Sequence, residues 1–73
     1  MIIVTGPQTT DDEVGDVVEM AAFLGGIPAY SAAIQWATVT ALYCLGGWEK
    51  CPLAVADVDV AEALGLTVRH LAA

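Results

Sequence analysis

Positive charge is what this sequence has least of. Lys50 and Arg69 stand against nine Asp and Glu residues, for a formal charge of −7. A protein that holds DNA or RNA neutralises phosphates with Lys and Arg, so nucleic acid is excluded as a partner. Metal-ligating residues are scarce as well: Cys44 and Cys51 do not make a C-x-x-C pair, and His70 is the only histidine. A zinc site takes about four ligands at suitable spacing, so no metal is expected, and no cofactor either. Two cysteines and no cationic, signal-like start fit a reducing cytoplasm. Whether the two thiols pair is left open by the sequence.

Charge of either sign is missing from Met20 through Trp48, a length that could span a bilayer. Gly25-Gly26, Pro28, Ser31, Gln35, Thr38 and Thr40 break that stretch into short pieces. It also lacks the flanking Lys/Arg cluster that sets a membrane orientation. A soluble chain without a membrane partner is the expectation.

What is present is apolar. Hydrophobic residues make up 58% of 73 positions, enough to rule out disorder and to expect a single domain over residues 1–73. A domain this small buries only about 60% of its unfolded surface. The apolar surplus therefore predicts a homo-oligomer.

Ile2-Ile3-Val4 is a β-branched run and reads as a first strand, broken by Gly6-Pro7. Thr10 and Glu13 have the spacing of a capping box, and Asp11 and Asp12 suit the positive end of a helix dipole. Val14, Val17, Val18 and Ala21 repeat at helical spacing before Gly25-Gly26 stops the helix. The loop Thr5-Gly6-Pro7-Gln8-Thr9 has the placement of an anion cradle. The acids just beyond it disfavour a phosphate and favour a hydroxyl-rich, uncharged ligand. Ile27–Tyr30 reads as a second strand or a connector, and Ser31–Ala37 as two helical turns with Ser31 as cap. Tyr30 and Trp36 read as core or interface residues.

The second half is one βαβ unit. Ala41–Leu45 reads as a strand ending at Gly46-Gly47, followed by a helix opened by Pro52 and closed by Gly65, and a strand over Leu66–Leu71. At about 100° per residue, Leu53, Val60, Ala61 and Leu64 form one stripe with Asp57 near its centre, while Asp59 and Glu62 point the other way. That stripe is predicted to face the core. A carboxylate among core positions has to be hydrogen-bonded, paired or protonated. Asp57 also follows the carboxyl end of a strand, where open α/β sheets bind ligands. A structural Asp held by nearby amides is the other reading of the same residue.

Two blocks resemble a known family. Met-Ile-Ile-Val-Thr-Gly-Pro at the start is similar to the first strand and turn of small nucleoside 2-deoxyribosyltransferase-like proteins, many of them uncharacterised and common in bacteriophages. Leu45-Gly-Gly-Trp-Glu-Lys-Cys51, followed by Ala61-Glu-Ala-Leu-Gly-Leu-Thr-Val68, resembles their Leu-Pro-Gly-Trp-Glu-x-Ser … Ala-x-x-Leu-Gly-Leu-x-Val block. The resemblance covers the two ends of the chain, with the middle compressed. It implies a small parallel-sheet α/β fold of the Rossmann or flavodoxin-like, three-layer kind, with three to four strands in the order 2-1-3-4 and two to three helices. It also implies a nucleoside pocket at the strand ends and N-glycosidic bond cleavage or deoxyribosyl transfer, with Asp57 at the nucleophile position. For a phage protein the compartment would be the host cytoplasm. Thr40 and Cys51 fall where the enzymes carry an assisting Asp and a loop acid, and a nucleophile without its proton-transfer partner loses about 10²–10⁴-fold in rate.

The candidate site is then Asp57 as the catalytic or anchoring residue, with Gly6, Pro7, Gly46, Gly47, Trp48 and Glu49 lining a crevice for a nucleoside-type ligand. The competing expectation is a catalytically degenerate interaction module that pairs with itself or with a host protein.

Overall fold

Ile2–Thr5 forms β1, and three further parallel strands join it: β2 (Ile27–Pro28), β3 (Ala41–Cys44) and β4 (Thr67–His70). These come from a computed structural model that describes residues 1–29 and 36–71. The sheet order is β2-β1-β3-β4, all parallel. Thr5 lies opposite Cys44, and Cys44 opposite His70, so the carboxyl ends of the three longer strands are level. The α/β fold, the parallel sheet and the predicted order are all present.

Side chains alternate across a strand, and here each face meets its own helix. Ile3, Leu42 and Cys44 pack with Val58 and Ala61 of α2 (Pro52–Ala63), whereas Val4 packs with Val17 and Ala21 of α1 (Asp11–Leu24). The sheet is thus covered on both sides, which is why β1 and β3 are apolar almost throughout. The step from β1 through α1 to β2 runs one way across the sheet, and the step from β3 through α2 to β4 runs the other. Crossovers of one hand in opposite directions put their helices on opposite faces. The reversal falls between β1 and β3, the topological switch point where such sheets take ligands.

Element ends differ modestly from the sequence expectation. β2 is two residues rather than the four of Ile27–Tyr30; Tyr30 and residues 31–35 lie outside the described residues, and with them the predicted cap at Ser31. Trp36–Thr38 is a single 3-10 turn, with Trp36 packed against the α2-side core. Leu45 leaves the strand, though its N–H still donates to the Thr5 carbonyl at 2.9 Å.

α1 begins as expected. The Thr10 hydroxyl accepts from the Glu13 N–H at 3.2 Å, and the Glu13 carboxylate accepts from the Thr10 N–H at 3.0 Å. It ends at Gly25 in the left-handed region, φ 69°, a conformation that costs glycine little.

α2 corrects the sequence reading. Its buried residues are Ala54, Val58 and Ala61, so of the predicted stripe only Ala61 faces the core. Leu53 is 61% exposed, Leu64 54% and Val60 38%. The helix is apolar around most of its circumference, and periodicity cannot choose a face when nearly every face is apolar. Size chooses instead: Ala54 and Ala61, both fully buried, let the helix backbone close onto the sheet in a way leucines there would prevent. Among the described residues no helix is long and apolar enough to cross a membrane.

Candidate functional site

Thr5 is the last residue of β1 and is completely buried. A buried hydroxyl needs partners, and this one has two. Its Oγ1 donates to Asp57 Oδ2 at 2.9 Å and accepts from Gln8 Nε2 at 3.2 Å. Asp57 sits in the second turn of α2, so this contact ties β1 to the helix on the far side of β3, at the switch point. Burial pushes the Asp57 carboxyl above its ordinary value of 3.8, and hydrogen bonds from Thr5 and Gln8 pull the other way without cancelling the rise. Asp57 is half-buried: supported from beneath, yet within reach of solvent.

Two loops meet beside this trio. A Cβ on Gly6 would lie 2.8 Å from the Leu45 Cβ, and one on Gly47 would lie 3.3 Å from the Pro7 ring. Gly47 also holds φ 88°, which L side chains rarely adopt. Glycine is therefore required at both positions for the β1 and β3 loops to touch. Gly6 meets Leu45 and Gly47 meets Pro7, with Gly46 exposed. Trp48 is half-buried on the α2-side core, and its ring lies 5.5 Å from that of His70 with a 30° tilt. It faces the end of β4, a contact that sequence spacing did not reveal. Glu49 is exposed on the 3-10 turn Trp48–Lys50.

The two cysteines are free and buried. Cys44 is pushed up to about 11, first by burial and then by the negative fields of Asp57, Glu49 and Glu62. It remains a thiol at neutral pH and is a poor nucleophile. Cys51 occupies the N-cap position of α2 without a side-chain capping bond. Thr40, aligned by resemblance with an assisting acid, precedes β3 and donates its hydroxyl to the Met1 carbonyl at 3.2 Å. It lies at the amino ends of the strands, the opposite edge of the sheet from Asp57, and cannot pass a proton there. Among the described residues no group of three His, Cys, Asp or Glu side chains forms a metal site.

Thr5 and Gln8 were read only as members of the loop after β1; their hydrogen bonding around Asp57 is what sequence reasoning missed. The available signal was the pairing of a hydroxyl at a strand's last position with a carboxylate on a core-facing helix, both of which need partners when buried. Together the trio offers a carboxylate acceptor, a hydroxyl and a neutral amide. Asp57 is partnered by a hydroxyl and an amide, neither of which is an acid that could protonate a leaving group.

In comparisons with known proteins, the chain matches no protein-family model, no curated protein and no solved structure.

Proposed function

We propose that this chain binds a small, uncharged, hydroxyl-rich ligand of nucleoside type at the carboxyl ends of β1 and β3, where Asp57 accepts hydrogen bonds from sugar hydroxyls. The observation that carries this reading is the bond from Thr5 to Asp57 across the switch point. A half-buried carboxyl held above its ordinary value in such a place marks a functional-site candidate. Exposed Asp11 and Asp12 at the start of α1 and the formal charge of −7 disfavour a phosphate and suit a neutral ligand.

Binding is better supported than turnover. Asp57 is one methylene shorter than the glutamate of the enzymes the chain resembles, and catalytic geometry tolerates about half an ångström. Its partners do not include a proton donor for a departing base. Cleavage of the N-glycosidic bond with Asp57 as nucleophile is the activity to assay alongside binding.

The test is an amide-shift titration of the labelled protein with 2′-deoxynucleosides and ribonucleosides. Saturable shifts are expected at Thr5, Gln8, Gly47 and Asp57. Asp57→Asn should weaken the affinity about tenfold or more, the worth of one hydrogen bond to a charged group. An absence of shifts at those four amides up to millimolar nucleoside would remove the reading.

A further inference from the structure

We propose that the outer face of α2 is a docking surface for a basic, amphipathic helix of another protein. This inference stands apart from the nucleoside reading and uses neither the Asp57 hydrogen bonds nor the loops.

Between Pro52 and Ala63 the only polar residues are Asp57, Asp59 and Glu62. One side of the helix is closed by the sheet through Ala54, Val58 and Ala61. Beside that face, Leu53, Val60 and Leu64 are exposed at successive steps of seven and four residues, which puts them on a single stripe. Ala56 and Ala63, also exposed, lie beside it and give the stripe a small-residue shoulder. A ridge of large side chains with a small-residue shoulder alongside forms a surface into which another helix can set its own apolar ridge. A helix apolar on both sides is one that is covered on both sides. Phe23 of α1 is more exposed, at 84%, but α1 is acidic and polar over much of its outer face, with exposed Asp12, Asp16 and Glu19.

Charge decides the occupant. All three charged side chains on α2 are acidic: Asp57 lies beside the stripe, Asp59 beyond its alanine shoulder and Glu62 on the opposite side. Exposed Glu49 and Lys50 before the helix offset each other, and the whole chain carries −7. A second copy would bring the same carboxylates against each other, and like charges facing across an interface cost affinity. A helix with leucines on one face and Lys or Arg on the flanks matches both the stripe and its rim. Its binding should weaken as salt rises, because rim charges are screened over about 10 Å at 0.1 M ionic strength.

The probe is a labelled synthetic helix of about 14 residues, the length of an ordinary protein helix, built from Leu and Lys at helical period. It is compared with a peptide of the same composition whose order destroys the apolar face. Anisotropy should show saturable, salt-sensitive binding of the amphipathic peptide. The double variant Leu53→Ser/Leu64→Ser, checked for retained fold by circular dichroism, should bind it about tenfold more weakly or worse, while Phe23→Ser binds as the parent does. Equal binding of the two peptides, or full binding by the double variant, would overturn the proposal. So would a concentration-dependent dimer in sedimentation that the double variant abolishes, since a second copy would then be the occupant.

Discussion

The two helices of this small sheet are built on opposite rules. α1 is amphipathic and capped: Thr10 and Glu13 close its first turn, Val17 and Ala21 meet the sheet, and Asp12, Asp16 and Glu19 face solvent. α2 has no side-chain cap, opens on Pro52, and is apolar on nearly every side. In α1 the period of the sequence selects the buried face. In α2 that period is nearly flat, and the face is selected by which side chains are small enough to let the helix approach. The lesson is that hydrophobicity marks a helix for burial, whereas the distribution of volume decides which way it turns.

The strongest way to break this comparison is to change volume without changing hydrophobicity. Ala61→Leu adds bulk at a fully buried contact with the sheet and should cost about 1–3 kcal/mol, the usual penalty for overpacking. The mirror change, Leu64→Ala, removes bulk from an exposed position and should stay within about 0.5 kcal/mol. Denaturant melts of both variants decide it. Equal costs would mean that size does not set the face of α2.

A smaller effect is expected at the capped end of α1. Thr10→Ala removes the side-chain acceptor for the Glu13 N–H and should lower stability by about 1 kcal/mol. Glu13 responds to acid in the same region. The Thr9 hydroxyl, followed by the Thr9 and Thr10 backbone, holds its carboxyl below the ordinary value of 4.5. That contribution is present above the unfolded-state value and is lost as pH falls through the depressed one. No comparable cap exists on α2, so an alanine at Cys51 should leave helix capping unchanged while opening a small cavity.

What was readable in the sequence follows the same division. β1, β3, the capping box and the glycine stop each rest on a local rule, and each is where those rules put it. The order 2-1-3-4 came from the family resemblance rather than from a local rule, and it is the order the sheet has. Asp57 was legible as a carboxylate near core positions beside a strand end. Its neighbours Leu53, Val60 and Leu64 were assigned to the wrong face because the three acids of α2 are spread around it and leave two apolar stripes to choose between. Thr5 was hidden by being the last letter of a strand, where a threonine is unremarkable until the residue opposite is known. The contact of Trp48 with His70 joins residues 22 apart in sequence, and no local pattern carries it.

The smallest expected change in stability, and the one that bears most on function, is at the boundary between the two faces of α2. Asp57 lies beside the exposed stripe yet bonds inward to Thr5. Because burial holds its carboxyl above 3.8 despite the bonds from Thr5 and Gln8, the folded protein binds this proton more tightly than the unfolded chain does. The stability it contributes is therefore full at low pH and is lost as pH climbs from the ordinary value through the raised one; above that the cost is constant. Asp57→Asn keeps the shape and an acceptor for the Thr5 hydroxyl while removing the buried charge. At pH 7 its melting temperature should equal or exceed that of the parent, and the difference should shrink as pH is lowered toward 4. Thermal melts of the pair across that range test the sign. A functional carboxylate is one whose removal leaves the fold intact and takes ligand binding with it. A drop of about 1–3 kcal/mol at neutral pH, the cost of leaving a buried partner unsatisfied, would instead make Asp57 a strut between β1 and α2, and the site would lose its anchor.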